Sequence, residues 1–189
     1  MFCYVPMWFK RARAKYNKLC AFGCLLVILV HQNISKNMAN EINRILKLFA
    51  DLQHSDCWVG TNFKEVLHGV GAAAAVKNIS GSTNSTWQLV AHITYWRSLV
   101  VNRLTGSDNP PPFPDFLLPD ICDEERWRQA LHDFEAAYHL LRNAIHHFNE
   151  ENLDKQSPRK DQTFYELIMG CLQHDAYHLG QMMLLKKAV

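Results

Sequence analysis

Seven large apolar side chains recur in alternating steps of four and three residues in one segment of the C-terminal half: Trp127, Leu131, Phe134, Tyr138, Leu141, Ile145 and Phe148. This spacing places all seven on one face of an α-helix, whereas a strand face repeats every two residues. Asp123, Glu124 and Glu125 precede the whole stripe, at the helix end where the dipole favours acids. The pattern predicts a long helix over about 122–150, of the kind that packs in a bundle.

Three other segments show helical periodicity. One stripe predicts a first helix over about 39–54: Ile42, Ile45, Leu46, Phe49 and Leu52. Ser85 followed by Gln88 forms a capping-box pattern, which predicts a second long helix from there to about residue 104. Thr163 with Glu166 repeats that pattern and predicts a last helix to about residue 187.

The segment 107–119 carries five prolines and cannot be regular helix. We interpret it as a long surface crossover that is able to run the length of a helix, so helices consecutive in the chain need not be antiparallel neighbours. No segment is typical of a strand. The sequence therefore predicts an all-α fold, a four-helix bundle.

Composition narrows the classes of function. The chain of 189 residues is 48% apolar and 20% charged, which excludes a disordered chain. Residues 38–189 hold 14 basic and 18 acidic side chains, so this part is a poor candidate for binding nucleic acid. Six scattered cysteines without a CxxC pair favour reduced thiols and a cytoplasmic location.

Residues 1–37 differ from the rest, with six basic side chains, no acid and an apolar run over 19–30. The run is shorter than the roughly 20 residues that span a bilayer. We favour the interpretation that Met38 is the natural start and that 1–37 is a leader outside the domain, which then covers 38–189. A signal peptide or membrane anchor, and a folded part of the domain, remain the alternatives.

Two of the ten histidines occupy the apolar stripe of the last helix, which otherwise comprises Phe164, Leu167, Ile168, Cys171, Met182 and Leu185. His174 and His178 lie four residues apart, on one helix face, and two imidazoles so placed can bind one metal ion. The metalloprotease motif HExxH requires a glutamate beside its first histidine, but Asp175 stands there, so we set a peptidase aside.

A third ligand is expected from the second long helix, where His92 falls on the buried arc between Leu89 and Trp96. Four histidines of the third helix lie off its stripe and should be solvated: His132, His139, His146 and His147. His54 and His68 lie near breaks in the chain and are ambiguous.

The alternative to a metal site is a set of hydrogen-bonded core histidines. Burying three imidazoles without a metal leaves several ring nitrogens to satisfy, at about 1–3 kcal/mol for each failure. Cys171 is either a fourth ligand or, as we favour, a small buried apolar side chain. Asp175 and Tyr177, which flank the ligands in sequence, are expected to pack or to orient them. Gln88 and Gln181 lie about one turn from a ligand and are the candidates to reach a molecule bound at the metal, so no catalytic residue is assigned.

The same residues carry a family resemblance. The segment 85–97, STWQLVAHITYWR, resembles the second-helix motif of DinB-like (YfiT-like) metalloproteins, and 174–181, HDAYHLGQ, resembles their closing motif. Trp58-Val59-Gly60 and the following 64–67, KEVL, resemble the usual link after the first helix of that family. The resemblance covers roughly 38–189.

The resemblance implies an up-down-down-up bundle in which His92, His174 and His178 hold a divalent metal, zinc or nickel, with water completing the shell. Some relatives use low-molecular-weight thiols as transferases or isomerases, and many are dimeric. We therefore expect a metal-dependent enzyme, similar to a thiol S-transferase or a hydrolase, that acts on a small molecule as a homodimer and binds no nucleic acid. The alternative is a non-catalytic dimeric bundle in stress response, with a structural metal.

Overall fold

The computed structural model describes residues 41–79 and 83–188; the leader 1–37 and the predicted domain start at Met38 lie outside these residues. Six α-helices follow one another: α1 (Glu41–His54), α2 (Phe63–Leu67), α3 (Ala72–Ala75), α4 (Thr86–Leu104), α5 (Glu124–His146) and α6 (Phe164–Ala188). Within these ranges there is no strand, so the predicted all-α helical bundle is confirmed. None of the helices described combines the length and the apolar character needed to cross a membrane.

Both predicted capping boxes are present. The Ser85 hydroxyl accepts a hydrogen bond from the Gln88 backbone N–H, and the Gln88 side chain accepts one from the Ser85 N–H at 3.0 Å. At the start of α6, Glu166 accepts from the Thr163 N–H at 2.7 Å. That backbone hydrogen bond, with a second one from the Thr163 hydroxyl, lowers the pKa of Glu166. Each box satisfies N–H groups that a helix start otherwise leaves unpaired.

The third long helix is shorter than predicted. It begins at Glu124, with Asp123 as its N-cap, and ends at His146, whereas the stripe predicted an end near 150. The chain leaves the helix at His147 and forms a separate 3₁₀ turn over Glu150–Asn152. Phe148 nevertheless contacts the core, with its ring 4.8 Å from that of Phe164, so the apolar pattern extends beyond the helix that it marks.

The predicted stripes face one core. All five stripe residues of α1 are buried, and so are five of the seven predicted for the third long helix, with Leu131 and Phe148 partly buried. The four off-stripe histidines predicted to be solvated, His132, His139, His146 and His147, are all exposed. The ambiguous His54 and His68 are exposed as well.

Contacts between the long helices give their relative directions. Near the starts of α4 and α5, the ring centroids of Trp87 and Trp127 are 5.0 Å apart. Further along both helices, Arg97 of α4 donates a hydrogen bond to the Phe134 carbonyl of α5. These two helices therefore run in the same direction. The proline-rich crossover makes this arrangement feasible, because it has to return along a helix about 28 Å long. In contrast, α6 is antiparallel to α4, since His92 lies near His178 and Arg97 near Asp175. These directions agree with the last three helices of the predicted order.

A buried ion pair ties α4 to α6. Arg97 Nε donates to Asp175 Oδ2 at 2.9 Å, and the two side chains are 1% and 0% exposed. Arg97 also donates to Gln53 of α1 at 2.9 Å, and its guanidinium lies 4.5 Å from the centre of the Phe134 ring. Because Asp175 directly follows His174, this ion pair sets the register in which α6 presents its histidines.

Candidate metal centre

The structure brings together the three histidines predicted from the sequence. The Nε2 atoms of His92 and His174 are 2.9 Å apart, and those of His174 and His178 are 3.1 Å apart. In the described residues, these three form a group whose candidate ligand atoms all lie within 4.8 Å of one another. Two ligands of one zinc ion, each at about 2.0–2.1 Å, lie at a similar separation, so the geometry suits a shared cation.

The position of His174 differs in part from the prediction. His92 and His178 are buried, but the side chain of His174 is 26% exposed. The fully buried positions beside it are Asp175 and Leu179, each 0% exposed. The buried arc of α6 is thus centred on these two residues. His174 lies at the edge of this arc, where its ring contacts the other two histidines and is partly exposed to solvent.

Asp115 of the proline-rich crossover orients His92. Its Oδ1 lies 2.6 Å from His92 Nδ1 and also accepts a hydrogen bond from the Phe116 backbone N–H at 2.8 Å. Phe116 has a positive φ of 52° and stacks on the His92 imidazole, with centroids 3.8 Å apart and planes at 14°. A non-glycine residue in this conformation is strained, and such strain is concentrated at functional sites.

Gln181 orients His178 from the next turn of the same helix. Its Oε1 lies 2.6 Å from His178 Nδ1, and its amide nitrogen donates to the Tyr177 hydroxyl at 3.1 Å. Gln181 therefore orients a ligand histidine, a role different from the contact with a bound molecule that its sequence position suggested. Gln88 does not reach the site through its side chain oxygen, which is engaged by Ser85 in the capping box.

His174 lacks such a partner. Its Nδ1 is buried without a hydrogen bond, and so is Asp175 Oδ1, 3.8 Å away. The other oxygen of Asp175 is the one that accepts from Arg97. Asp175 is thus a structural residue of the core that lies next to the site, in agreement with the expectation that it packs.

Burial favours the neutral form of the two buried imidazoles, His92 and His178. It lowers the pKa of His178 to about 4, and it lowers the pKa of His92 against the opposing effect of Asp115. In each neutral ring, Nδ1 carries the proton that Asp115 or Gln181 accepts, which leaves a lone pair on Nε2. A single proton on His174 Nε2 satisfies only one of these lone pairs. A divalent cation satisfies all three, so the donor set fits a metal ion.

Cys171 is not one of the converging ligands in the described residues. It is 6% exposed, and burial raises the pKa of its thiol well above the usual range, as expected for a small buried side chain. Three protein ligands leave a bound ion at least one position for water or substrate, as at catalytic rather than structural zinc sites.

The fold and the site together define the class of this protein. It is a helical bundle in which three histidines of two antiparallel helices converge on one point, an arrangement that can hold a metal ion. The chain belongs to the DinB superfamily, whose family model matches residues 41–182. This confirms the family inferred from the two motifs. No curated protein and no solved structure matches the sequence significantly.

Proposed function

We propose that the protein binds a divalent metal ion, zinc or nickel, through His92, His174 and His178, and that it is a metal-dependent enzyme. The convergence of three Nε2 atoms, two of them on rings whose Nδ1 is already engaged, is the observation that carries this proposal. Side chains that hold the outer nitrogen of each ring are the usual companions of metal-bound histidines.

A divalent ion held by neutral imidazoles lowers the pKa of a water or thiol that it binds, which supports thiol transfer and hydrolysis alike. The residues of the chain prepare the site for this chemistry. Asp115 and Gln181 fix the orientation of two rings, and Phe116 covers one face of His92 and keeps water from it. We propose an S-transferase-like or hydrolase-like reaction on a small molecule, with a low-molecular-weight thiol as the cosubstrate.

Two observations favour the enzyme over a bundle held together by a structural metal. In the described residues, no further histidine, cysteine, aspartate or glutamate joins the three histidines, whereas structural zinc sites are closed by four ligands. A cavity also borders His174, so a second molecule has access to the edge of the site. We further propose that the protein is a homodimer and that it is located in the cytoplasm. The cytoplasmic location is supported by the free thiols of Cys57, Cys122 and Cys171.

The test is a set of thiol-transfer and ester-hydrolysis assays on native protein, on protein stripped with a chelator, and on stripped protein reloaded with zinc or nickel. We expect activity to disappear on stripping and to return with one of the two metals. Activity that survives complete metal removal contradicts the proposal.

A further inference from the structure

A second feature of the site is a cavity of about 180 Å³ between α4, α6 and the loop that precedes α6. His174 lines it, so the cavity borders the histidine centre through a ring that is itself a proposed ligand. Pockets for drug-sized ligands usually measure about 300–1,000 Å³, so this one suits a small molecule.

Hydrogen-bond donors dominate the polar lining. Arg103, Arg159, Gln162 and Trp96 line the cavity together with His174, and no carboxylate side chain is among the lining residues. The indole Nε1–H of Trp96 is buried without a hydrogen-bond partner, and the Trp96 ring lies 5.7 Å from the His174 ring. A buried donor without a partner is costly, and a bound acceptor removes that cost.

Both arginines keep donors available. Arg103 is 7% exposed and uses Nε to bond Asp108 at 2.6 Å, and the exposed Arg159 uses Nε to bond Asp161 at 3.2 Å. Within the described part of the chain, neither guanidinium has a hydrogen bond at its terminal Nη atoms. The two aspartates hold the arginines in place and leave their terminal Nη atoms available. These atoms are the ones that donate paired hydrogen bonds to a carboxylate or a phosphate group.

We propose that this cavity binds the anionic group, a carboxylate or a phosphate, of a small substrate through Arg103 and Arg159, beside His174. Val100 and Leu167 supply apolar wall for a short carbon chain. The placement of the substrate next to a metal rests on the proposed function, whereas the recognition of an anion rests on the cavity alone.

The chain offers a steric test with little risk to the fold. Gly170 lines the cavity within α6, and a Cβ built there meets no atom within 4 Å. Gly170→Leu should therefore fill the cavity and leave the helix intact. Gln173→Leu adds the same side chain at an exposed position of the same helix, outside the cavity lining, and is the matched control.

Calorimetric titration of the native protein with succinate, inorganic phosphate and the neutral succinamide tests the proposal. We expect one or both anions to bind, succinamide not to bind, and Arg159→Gln to weaken the anion about tenfold, as expected for a charged hydrogen bond. Gly170→Leu should abolish binding, whereas Gln173→Leu and Arg128→Gln, an exposed arginine of α5, should leave it unchanged.

Metal content, measured on the same samples, separates the two proposals. Failure of both anions to bind metal-loaded protein overturns the anion site and leaves the proposed function standing. Binding that resists Arg159→Gln and Gly170→Leu but is lost in His174→Ala indicates an anion on the metal itself, and it also overturns the cavity. Anion binding that depends on Arg159 and Gly170 supports the cavity whether or not metal is present. Native protein that binds the anion in this way but carries no metal contradicts the metal centre and leaves the cavity standing.

Discussion

Removing the carboxylate of Asp175 should destabilise the folded chain more than any surface ion-pair change. The side chains of Arg97 and Asp175 are 1% and 0% exposed, so Asp175→Ala leaves a guanidinium without its counter-charge in the core. Gln53 and the Phe134 carbonyl still accept its hydrogen bonds, but neither carries a charge. Breaking a buried pair on one side typically costs about 3–5 kcal/mol, and we expect a loss in that range.

The assay is urea denaturation followed by circular dichroism, with a chelator present so that metal binding does not contribute to the free energy of unfolding. Asp51→Ala is the control, because it breaks the exposed ion pair of Lys47 and Asp51 on one turn of α1. Lys47 Nζ lies 2.6 Å from Asp51 Oδ2. Exposed pairs of this kind contribute about 0.3–0.5 kcal/mol.

The double variant Arg97→Met/Asp175→Leu separates the charge from the packing. Replacing both charges with apolar side chains of similar volume is often neutral or stabilising, so the double variant should be more stable than Asp175→Ala alone. If Asp175→Ala costs no more than Asp51→Ala, the ion pair does not hold α4 against α6 and the reasoning is refuted.

Three further outcomes are expected. Asp115→Asn should weaken zinc binding about 10–100-fold in a competition titration, because it removes the carboxylate that holds His92. Asp133→Asn, at an exposed position, should leave zinc affinity unchanged, and equal affinities of both variants and the wild type contradict an orienting role for Asp115. Because the pKa of Glu166 is lowered, its contribution to stability is present above the carboxyl pKa of the unfolded chain, about 4.3, and is lost as the pH falls through the folded value. Glu166→Gln should therefore reduce the fall in the free energy of unfolding over this acidic range, measured by urea denaturation at several pH values. Because burial raises the pKa of Cys171, iodoacetamide at pH 8 should modify the half-buried Cys57 well before Cys171 in peptide mass maps, and comparable rates contradict its burial.

The long helices were predictable because their information is local. A stripe of apolar residues and a capping box depend on residues three or four apart, which the chain brings together whenever the helix forms. The same locality places His174 and His178 on one face of α6. His92 was found because it interrupts an apolar arc, as the other two histidines do.

The partners of the site were harder to predict, because they depend on how distant segments meet. Asp115 reaches His92 only through the path of a proline-rich loop, and no periodic pattern marks that path. The strain at Phe116 is equally invisible in sequence. Arg97 and Asp175 did leave a signal: each stands four residues after a buried residue, Ile93 and Cys171, so each continues an apolar arc with a charge. Opposite charges on two such arcs indicate a buried pair.

The central claim is that three histidines bind a metal ion, and metal analysis of the purified native protein by inductively coupled plasma mass spectrometry tests it most directly. Wild-type protein and the exposed-site control His139→Ala should carry near-stoichiometric zinc or nickel, and His174→Ala should carry almost none. Full occupancy in His174→Ala, or an equal loss in His139→Ala, contradicts the claim.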